Sequence, residues 1–394
     1  MIKVDLVFSA RLSSPNGDSR VVRTFLESTA FFRNNGIDLS ITSSDLFHKK
    51  NIDQSKKTIK KTIKNYIKKL IPYSSYLTVR FLKSAEKNKE NIIDYYLSQK
   101  KETDIVFFHE LSTCYYYLKK RKNIKTKVVL VIHSNGDTFK MLHIYYPKLI
   151  KTKYYKYLLN VEKEVIDNVD KLGFVAQSAK EHFIELKRTY NNEKLFYVYN
   201  GIGNKPKSKI NKQFAKQPVK YVFYCAGSIT KRKGQEIIIK AFQKLTEQQK
   251  AQFNITFLGD GAEKVRLENL VKQYKIDKYI FFEGFVNDVT EYLKKSNGFI
   301  LTSYDEGLPV SIIEALRLGL PIISTKVGGI PEMIEDGKNG FIIEPNADQL
   351  CNLFNTLHNF NLSEMGDYSF KIYQEKFTQE AMFQGYLKIF LSLY

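Results

Sequence analysis

Short apolar runs alternate with stretches of helical periodicity along most of the chain. In the C-terminal half, apolar side chains between the runs recur every three or four positions, as in Gln235–Leu245 and Glu263–Tyr274. Buried strands that alternate strictly with amphipathic helices predict a parallel sheet with helices on both faces. The strands predicted in this half are Tyr221–Cys225, Asn254–Leu258, Tyr279–Phe282, Gly298–Thr302, Pro321–Ser324 and Phe341–Ile343.

The N-terminal half repeats this rhythm with longer insertions. Its predicted strands are Ile2–Phe8, Ile37–Thr42, Ile105–His109, Val128–His133, Leu172–Ala176 and Phe196–Tyr199. We therefore predict an α/β chain with two Rossmann-like domains, at 1–202 and 219–376, facing across a cleft. A polar, lysine-rich linker at 203–218 joins them, and a C-terminal helix at 377–394 has the N-terminal domain as its candidate packing surface.

Length and composition agree with two globular domains. The chain has 394 residues, of which 43% are hydrophobic and 26% charged, and these values exclude disordered and fibrous classes. No apolar run is long enough to span a bilayer, and the first residues lack the features of a signal peptide, so we expect a cytoplasmic protein. The three cysteines are too few and too scattered for a disulfide framework or a zinc cluster.

The charge is strongly asymmetric. Residues 1–200 hold 37 Lys and Arg against 20 Asp and Glu, which gives +17 of the total +21. This excess indicates an anionic partner for the N-terminal half. Only 10 of the 62 basic residues are Arg, and a diffuse lysine field suits a membrane surface better than specific nucleic-acid recognition. A lysine-rich composition with solvated faces is the alternative.

The stretch 56–71 has the pattern of an interfacial helix. Its aliphatic side chains form one helical stripe, and Lys60, Lys61, Lys64 and Lys68 lie on the remaining face. Tyr154 and Tyr155 add amphipathic aromatic rings among further lysines. These six residues are our predicted membrane or acceptor surface. The alternative is that the stripe packs on the domain core.

The stretch Ser303–Glu314 carries the strongest chemical signal. Pro309 suits the first position of a helix, which places Glu306 and the amides of Gly307 and Leu308 at a helix N-terminus. A helix N-terminus attracts anions such as a diphosphate. A carboxylate at the same place indicates that a different part of the ligand binds there, and hydroxyls are the natural candidates because an ionised carboxylate only accepts hydrogen bonds. Glu314 lies within the first two turns. The alternative is an acidic residue favoured by the helix dipole and one surface glutamate.

A second loop, Gly227–Gly234, follows a predicted strand and opens a helix. Backbone amides and cations meet phosphates at such positions. We place Lys233 on a diphosphate, with Arg232 second.

With these motifs the chain resembles the retaining glycosyltransferases of the GT-B fold, in the family with a Glu-x7-Glu motif. The stretches that carry the resemblance in the C-terminal half are Phe257–Gly261, Phe282–Val286, Glu306 to Glu314, Gly319–Pro321 and Glu335–Gly340. It is fainter in the N-terminal half, where it rests on Pro15–Gly17, His133, Gln177-Ser178 and Asn200-Gly201.

The resemblance implies a role for each matching residue. Glu306 would bind donor-sugar hydroxyls, Glu314 the ribose diol, Lys233 the diphosphate and the Val286 backbone the base. His133 would contact the donor sugar near the reacting carbon, so His133, Glu306 and Lys233 are the predicted catalytic residues. The predicted donor-binding residues are Gly17, Arg232, Lys233, Val286, Glu306, Gly307, Leu308, Pro309 and Glu314.

Two departures concern the phosphate and glycine loops. Ser228 stands where the family usually has Arg, and Gly17-Asp18 stands where it often has two glycines. Arg232 is our candidate substitute for the missing cation.

The resemblance also implies the reaction. A hexosyl unit would pass from a UDP- or GDP-sugar to a hydroxyl of a glycan, glycolipid or lipid-linked acceptor, with retention and without metal or cofactor. The setting would be cell-surface polysaccharide assembly, in the cytoplasm or at the inner face of the membrane. Alternatives are a basic scaffold or nucleic-acid-binding protein, and a phosphorylase with a lysine-bound cofactor. Gly259-Asp260-Gly261 is too short for a dinucleotide fingerprint, and His109-Glu110 lacks a second histidine at metal-binding spacing.

Overall fold

The computed structural model describes residues 1–14, 17–47, 71–187, 191–204 and 220–394. The chain forms two compact units. The first contains residues 1–175, 180–198 and 383–394, and the second contains residues 176–179 and 199–382. Most of the expected linker, 203–218, lies outside the described residues.

The first unit is built on a six-stranded parallel sheet with strand order β2-β1-β3-β4-β5-β6. Its strands are β1 (Ile2–Phe8), β2 (Ile37–Ser43), β3 (Ile105–Phe108), β4 (Lys127–Ile132), β5 (Lys171–Phe174) and β6 (Leu195–Tyr197). The helices along this part of the chain are α1 (Gly17–Leu26), α2 (Thr29–Asn34), α3 (Ser75–Ser98), α4 (Leu111–Lys120), α5 (Lys140–Tyr145), α6 (Lys153–Asn168) and α7 (Gln177–Leu186).

The second unit has a parallel sheet of the same size, with order β12-β11-β10-β7-β8-β9. Its strands are β7 (Tyr221–Ala226), β8 (Phe253–Leu258), β9 (Ile280–Gly284), β10 (Gly298–Leu301), β11 (Ile322–Thr325) and β12 (Gly340–Ile343). The remaining helices are α8 (Gln235–Gln243), α9 (Glu247–Lys250), α10 (Lys264–Gln273), α11 (Thr290–Leu293), α12 (Val310–Arg317), α13 (Ala347–Thr356), α14 (Leu362–Lys376) and α15 (Gln379–Leu391).

These sheets confirm the predicted α/β class with two Rossmann-like domains. The predicted strands are all present, and their observed ends differ from the predicted ones by at most two residues. Strands such as Ile105–Phe108 and Gly298–Leu301 are buried along their whole length. Continuous apolar runs of this kind are what a sheet covered on both faces requires.

The end of the chain contributes to the core of the first unit. Phe383, Tyr386 and Phe390 of α15 are each at most 1% exposed. The ring of Phe25 lies 5.3 Å from Phe383 and 5.2 Å from Tyr386, and the ring of Phe107 lies 5.4 Å from Phe390, measured between centroids. Residues from both ends of the sequence therefore complete one aromatic core.

In the part of the chain that the structure describes, no helix combines the length and the apolar character needed to cross a membrane.

Candidate functional site

Two loops of the second unit lie at the same edge of the sheet. The loop 227–234 follows β7 and the loop 302–309 follows β10, and these strands are parallel neighbours. The Thr302 hydroxyl donates to the Gly234 carbonyl at 2.9 Å, and the Tyr304 amide donates to the Arg232 carbonyl at 2.8 Å. Gly234 has φ +63°, and a Cβ there would lie 2.0 Å from the Thr302 oxygen. Only glycine allows this close backbone contact, which fixes the two loops together.

The carboxylate of Glu306 joins these loops through three donors. Its Oε1 accepts from Lys233 Nζ at 2.7 Å and from Ser303 Oγ at 2.6 Å. Its Oε2 accepts from Arg232 Nη1 at 2.9 Å. Glu306 is only 5% exposed and Lys233 only 9%. The structure thus brings together three of the predicted site residues in one buried, charged cluster.

The protonation state of this cluster follows from its surroundings. Burial raises the pKa of the Glu306 carboxyl, but the charges of Lys233 and Arg232, together with the hydrogen bonds from Lys233 and Ser303, outweigh burial and lower that pKa to about 2. Glu306 is therefore ionised at neutral pH. The two cations beside this carboxylate favour the approach of an anion.

Arg232 has a second anchor on the same loop. Its Nη1 donates to the Asp305 carbonyl at 2.6 Å in addition to its contact with Glu306. The backbone carbonyl of Ser228 accepts from the Gln235 side chain at 3.0 Å. The sequence led us to direct Arg232 at a phosphate in place of a cation at position 228. In the structure its guanidinium contacts the loop that carries Glu306, and its role toward a phosphate stays a prediction.

The segment Gly307–Pro309 leads into α12, and here one prediction was wrong. Pro309 is not the first helical residue but the N-cap, with extended torsions of φ −70° and ψ 114°, and the helix begins at Val310. The fixed φ of proline suits both positions, so the sequence could not separate them. No described group accepts a hydrogen bond from the amides of Gly307 and Leu308.

The loop after β11 supports this segment from behind. The Gly329 amide donates to the Gly307 carbonyl at 2.8 Å. Gly328 has φ +54°, and a Cβ there would lie 1.8 Å from the Glu306 carbonyl oxygen. The backbone of Glu306 and Gly307 is therefore held by direct backbone packing, which fixes the direction of the Glu306 side chain.

Two other predicted residues of the second unit lie on elements that leave the same sheet. Glu314 is half-buried in the second turn of α12. Val286 is half-buried in the segment that follows β9. Neither residue is one of the three hydrogen-bond donors to the Glu306 carboxylate described above.

In the first unit, the predicted residue His133 forms a pair with a second histidine. His133 follows β4, and its Nε2 lies 2.7 Å from Nδ1 of His109, which follows β3. His133 Nδ1 lies 3.5 Å from a carboxylate oxygen of Asp18, in the first turn of α1. Gly17 is exposed at the start of this helix.

His109 restricts the proton positions of this pair. Burial and the neighbouring His133 hold the pKa of His109 well below its usual value, so His109 is neutral. A proton on His109 Nδ1 makes His109 the donor of this hydrogen bond and His133 Nε2 its acceptor. Sequence reasoning considered His109 only as a metal ligand. Its position after the strand next to β4 was the signal that could have linked it to His133.

The predicted membrane or acceptor surface is only partly described. Lys60, Lys61, Lys64 and Lys68 lie outside the described residues. Tyr154 is only 8% exposed, so little of its ring is open to a membrane interface, and its place on a membrane or acceptor surface stays a prediction. Its neighbours explain this, because Tyr154 packs in a cluster with Phe139, Leu149 and Leu158. Tyr155 is half-buried, and its hydroxyl lies 2.7 Å from His143 Nε2.

Among the residues that the structure describes, no group of three or more His, Cys, Asp or Glu side chains is arranged to hold a metal ion.

The second unit matches a known family of enzymes. Residues 206–363 match the model of the glycosyl transferases group 1 family. This range includes every strand from β7 to β12 and the whole Glu306 cluster. The matched range lies within the second unit and covers less than half of the chain.

Individual relatives agree with this assignment. An uncharacterized glycosyltransferase of Methanocaldococcus jannaschii is 30% identical over 204 residues, which cover 51% of this chain and 48% of that protein. The Vi polysaccharide biosynthesis protein VipC/TviE of Salmonella typhi is 37% identical over 141 residues, 34% of this chain and 24% of that protein. The chain thus spans about half or less of the length of these curated relatives.

Solved structures extend the likeness to the whole chain at the level of the fold. The crystal structure of Anabaena HepE in complex with UDP-glucose is similar with a TM-score of 0.68 and 16% sequence identity, and the similarity covers 100% of both chains. The fold is therefore α/β of GT-B type, and residues 206–363 match the model of the glycosyl transferases group 1 family.

Proposed function

We propose that this protein is a retaining hexosyltransferase that uses a nucleoside-diphosphate sugar. The acceptor would be a hydroxyl of a glycan, glycolipid or lipid-linked saccharide in the assembly of a surface polysaccharide. The observation that carries the proposal is the cluster of Lys233, Arg232 and Glu306, because its two cations lie on loops beside the amides of Gly307 and Leu308. A similar fold binds UDP-glucose in HepE, and the relative from Salmonella typhi acts in polysaccharide biosynthesis.

The chemistry of the proposed reaction depends on the leaving group. When the bond between the anomeric carbon and the phosphate oxygen breaks, negative charge develops on the diphosphate. Lys233 and the helix N-terminus after Pro309 supply preorganised positive charge without reorganising solvent. The departing phosphate itself can accept the proton of the attacking hydroxyl on the same face of the sugar. Such a site performs the transfer without a metal ion.

Glu306 has two parts in this proposal. Without ligand it neutralises one of the two buried cations, and this lowers the cost of burying them. With donor bound, its carboxylate accepts hydrogen bonds from sugar hydroxyls while the diphosphate takes over part of the interaction with Lys233. The fixed backbone of Glu306 keeps the carboxylate in place during this exchange.

Titration of the purified protein with UDP, GDP and ADP by calorimetry tests the proposal. A glycosyltransferase binds one of these nucleotides in preference to the others. A basic scaffold protein binds none of them selectively, and such a result would exclude the proposed function.

Glu314→Gln is expected to weaken binding of the preferred nucleotide by about 10- to 150-fold, because an amide oxygen replaces a carboxylate as acceptor for the ribose diol. The estimate takes one charged hydrogen bond as roughly 1.5–3 kcal/mol. Calorimetry measures the affinity, and Glu335→Gln, an exposed position on another loop, is the matched control. Equal affinities of the Glu314 variant and the wild type would refute the ribose role.

The sugar is expected to keep its anomeric configuration during transfer, which gives an α linkage from an α-linked donor. The proton NMR coupling constant of the anomeric proton in the product measures this directly. A β product from the same donor would show that the enzyme inverts.

A further inference from the structure

A groove of about 1040 Å³ runs along the first unit between α3 and α6. The N-termini of both helices are capped: the Ser74 side chain accepts a hydrogen bond from the Leu77 amide, and the Thr152 side chain accepts one from the Tyr155 amide. Helix α4 contributes Tyr116 to the lining. The volume lies at the upper end of the range for pockets that enclose small ligands. None of the residues given a role in donor binding or catalysis lines this groove.

Tyrosines form the aromatic part of the groove. Tyr154 and Tyr157 stack with centroids 5.6 Å apart and an interplanar angle of 27°, and Tyr76 is 70% exposed. The Tyr154 hydroxyl is buried, and no group in the described part of the chain forms a hydrogen bond with it. Burial raises the pKa of Tyr154, so the hydroxyl keeps its proton. A buried donor without a partner is costly, and an acceptor on a bound ligand would satisfy it.

The charged residues of the groove are unevenly paired. Its three carboxylates pair with two lysines that do not line it: Glu86 pairs with Lys89 at 2.9 Å, and Glu90 and Asp94 share Lys120 at 2.8 and 2.7 Å.

The lysines that do line the groove are Lys83, Lys87 and Lys153, and none of them forms an ion pair with another described residue. The ammonium group of Lys83 lies 5.7 Å from the centre of the Tyr154 ring. Lys89 and Lys120 bring the lysines in and beside the groove to five against three carboxylates, which leaves a net charge of +2 beside the aromatic faces.

We propose that this groove binds an acidic oligosaccharide, as a stretch of the acceptor away from the hydroxyl that reacts. A hexose ring has an apolar C–H face that packs on a tyrosine ring and hydroxyl edges that bond to groups such as Asn91 and Thr152. Its carboxylate matches the unpaired lysines. That this saccharide is part of the acceptor rests on the proposed transferase function. Its binding to the groove does not depend on that function.

The shape of the groove favours a saccharide over a membrane surface. A helix that binds at a membrane interface exposes its apolar and aromatic side chains outward, on a convex face. Here Tyr154 is 92% buried and Tyr116 half-buried, and both line a concave groove. A chain of saccharide units can enter such a groove, and a flat bilayer cannot.

Calorimetry with the full chain tests the proposal without any donor nucleotide. The probes are tetragalacturonate, which carries a carboxylate on every unit, and maltotetraose, its neutral counterpart. We expect tetragalacturonate to bind and the double variant Lys83→Ala/Lys153→Ala to bind it at least tenfold more weakly, since charge-assisted hydrogen bonds are lost. Lys156→Ala is the matched control, because Lys156 is exposed on the same helix and does not line the groove.

Tyr154→Phe separates binding from folding. The variant removes only a hydroxyl that has no partner in the described structure, so the melting temperature of the free protein should be equal to or above that of the wild type. Affinity for tetragalacturonate should fall several-fold, because the ligand loses this donor. A lower melting temperature with unchanged affinity would show that the hydroxyl serves the fold, and would overturn its role in binding.

The remaining outcomes are distinct. Equal affinities for tetragalacturonate and maltotetraose, or equal effects of the double variant Lys83→Ala/Lys153→Ala and of Lys156→Ala, would overturn the proposal. So would binding to phosphatidylglycerol vesicles with no binding of tetragalacturonate, which would assign the groove to a lipid surface. Selective binding of UDP or GDP tests the transferase function separately, so either proposal can fail while the other stands.

Discussion

Lys233→Ala is expected to lower the turnover of donor by about 10²- to 10³-fold, the usual effect of removing one preorganised electrostatic contact. Lys233 is buried, and its ammonium is fixed at 2.7 Å from the Glu306 carboxylate. Its charge is therefore in place before the diphosphate starts to leave. The rate is measured as release of the nucleoside diphosphate during hydrolysis or transfer of the nucleotide sugar.

Lys231→Ala is the control for this experiment. Lys231 belongs to the same short 3-10 turn, Lys231–Lys233, but its side chain is exposed. Its removal changes the total charge of the protein by the same amount and should leave turnover nearly unchanged. Equal losses in both variants would show that the loop acts only through its overall charge, and the assignment of Lys233 to the diphosphate would be wrong.

Glu306→Gln is expected to destabilise the second unit by roughly 3–5 kcal/mol at neutral pH, because buried Lys233 and partly buried Arg232 then lose their counter-ion. The effect should depend on pH. The pKa of the Glu306 carboxyl is about 2 in the folded protein against 4.5 as the reference value. The stability gained from the ionised carboxylate is fully present above pH 4.5 and is lost as the pH falls toward 2.

Urea unfolding of wild type and variant between pH 7 and pH 3 measures this difference. The gap between their free energies of unfolding should narrow as the pH falls below 4.5, by roughly 3 kcal/mol if the whole range to pH 2 were reached. Glu335→Gln is the control, because Glu335 pairs with Lys338 on the surface and its loss should have a much smaller effect. A gap that stays constant with pH would contradict the buried ion pair.

The sequence was sufficient for the strands because their burial leaves a direct pattern. Runs such as Val128–Ile132 contain no polar side chain, and only a strand covered on both faces tolerates this. Strand ends were less certain, because the residues just after a strand are also buried. Ala176 follows β5 with 0% exposure but does not pair with a neighbouring strand, so the predicted strand was too long by two residues.

The candidate site was predicted as a set of residues but not as a network. The sequence placed Lys233 and Glu306 on loops at one edge of a sheet, and both were assigned to a ligand. That they bind each other depends on β7 and β10 being direct neighbours, a pairing between strands separated by two others in the sequence. Hydrophobic patterns do not encode strand order, so this contact required the structure. The groove along α3 and α6 depends in the same way on how helices pack.

The aromatic core of the first unit can be completed during translation only after α15 has been synthesised. Phe25, Phe32 and Phe107 are made early, yet the rings that cover them, Phe383, Tyr386 and Phe390, come from α15. A nascent chain that has already formed the first sheet still exposes this aromatic face to solvent until about residue 391 has left the ribosome. The second unit, by contrast, can bury its own strands before that point. During translation the N-terminal unit is thus the later of the two to be completed, and the one with the longer need for protection against aggregation.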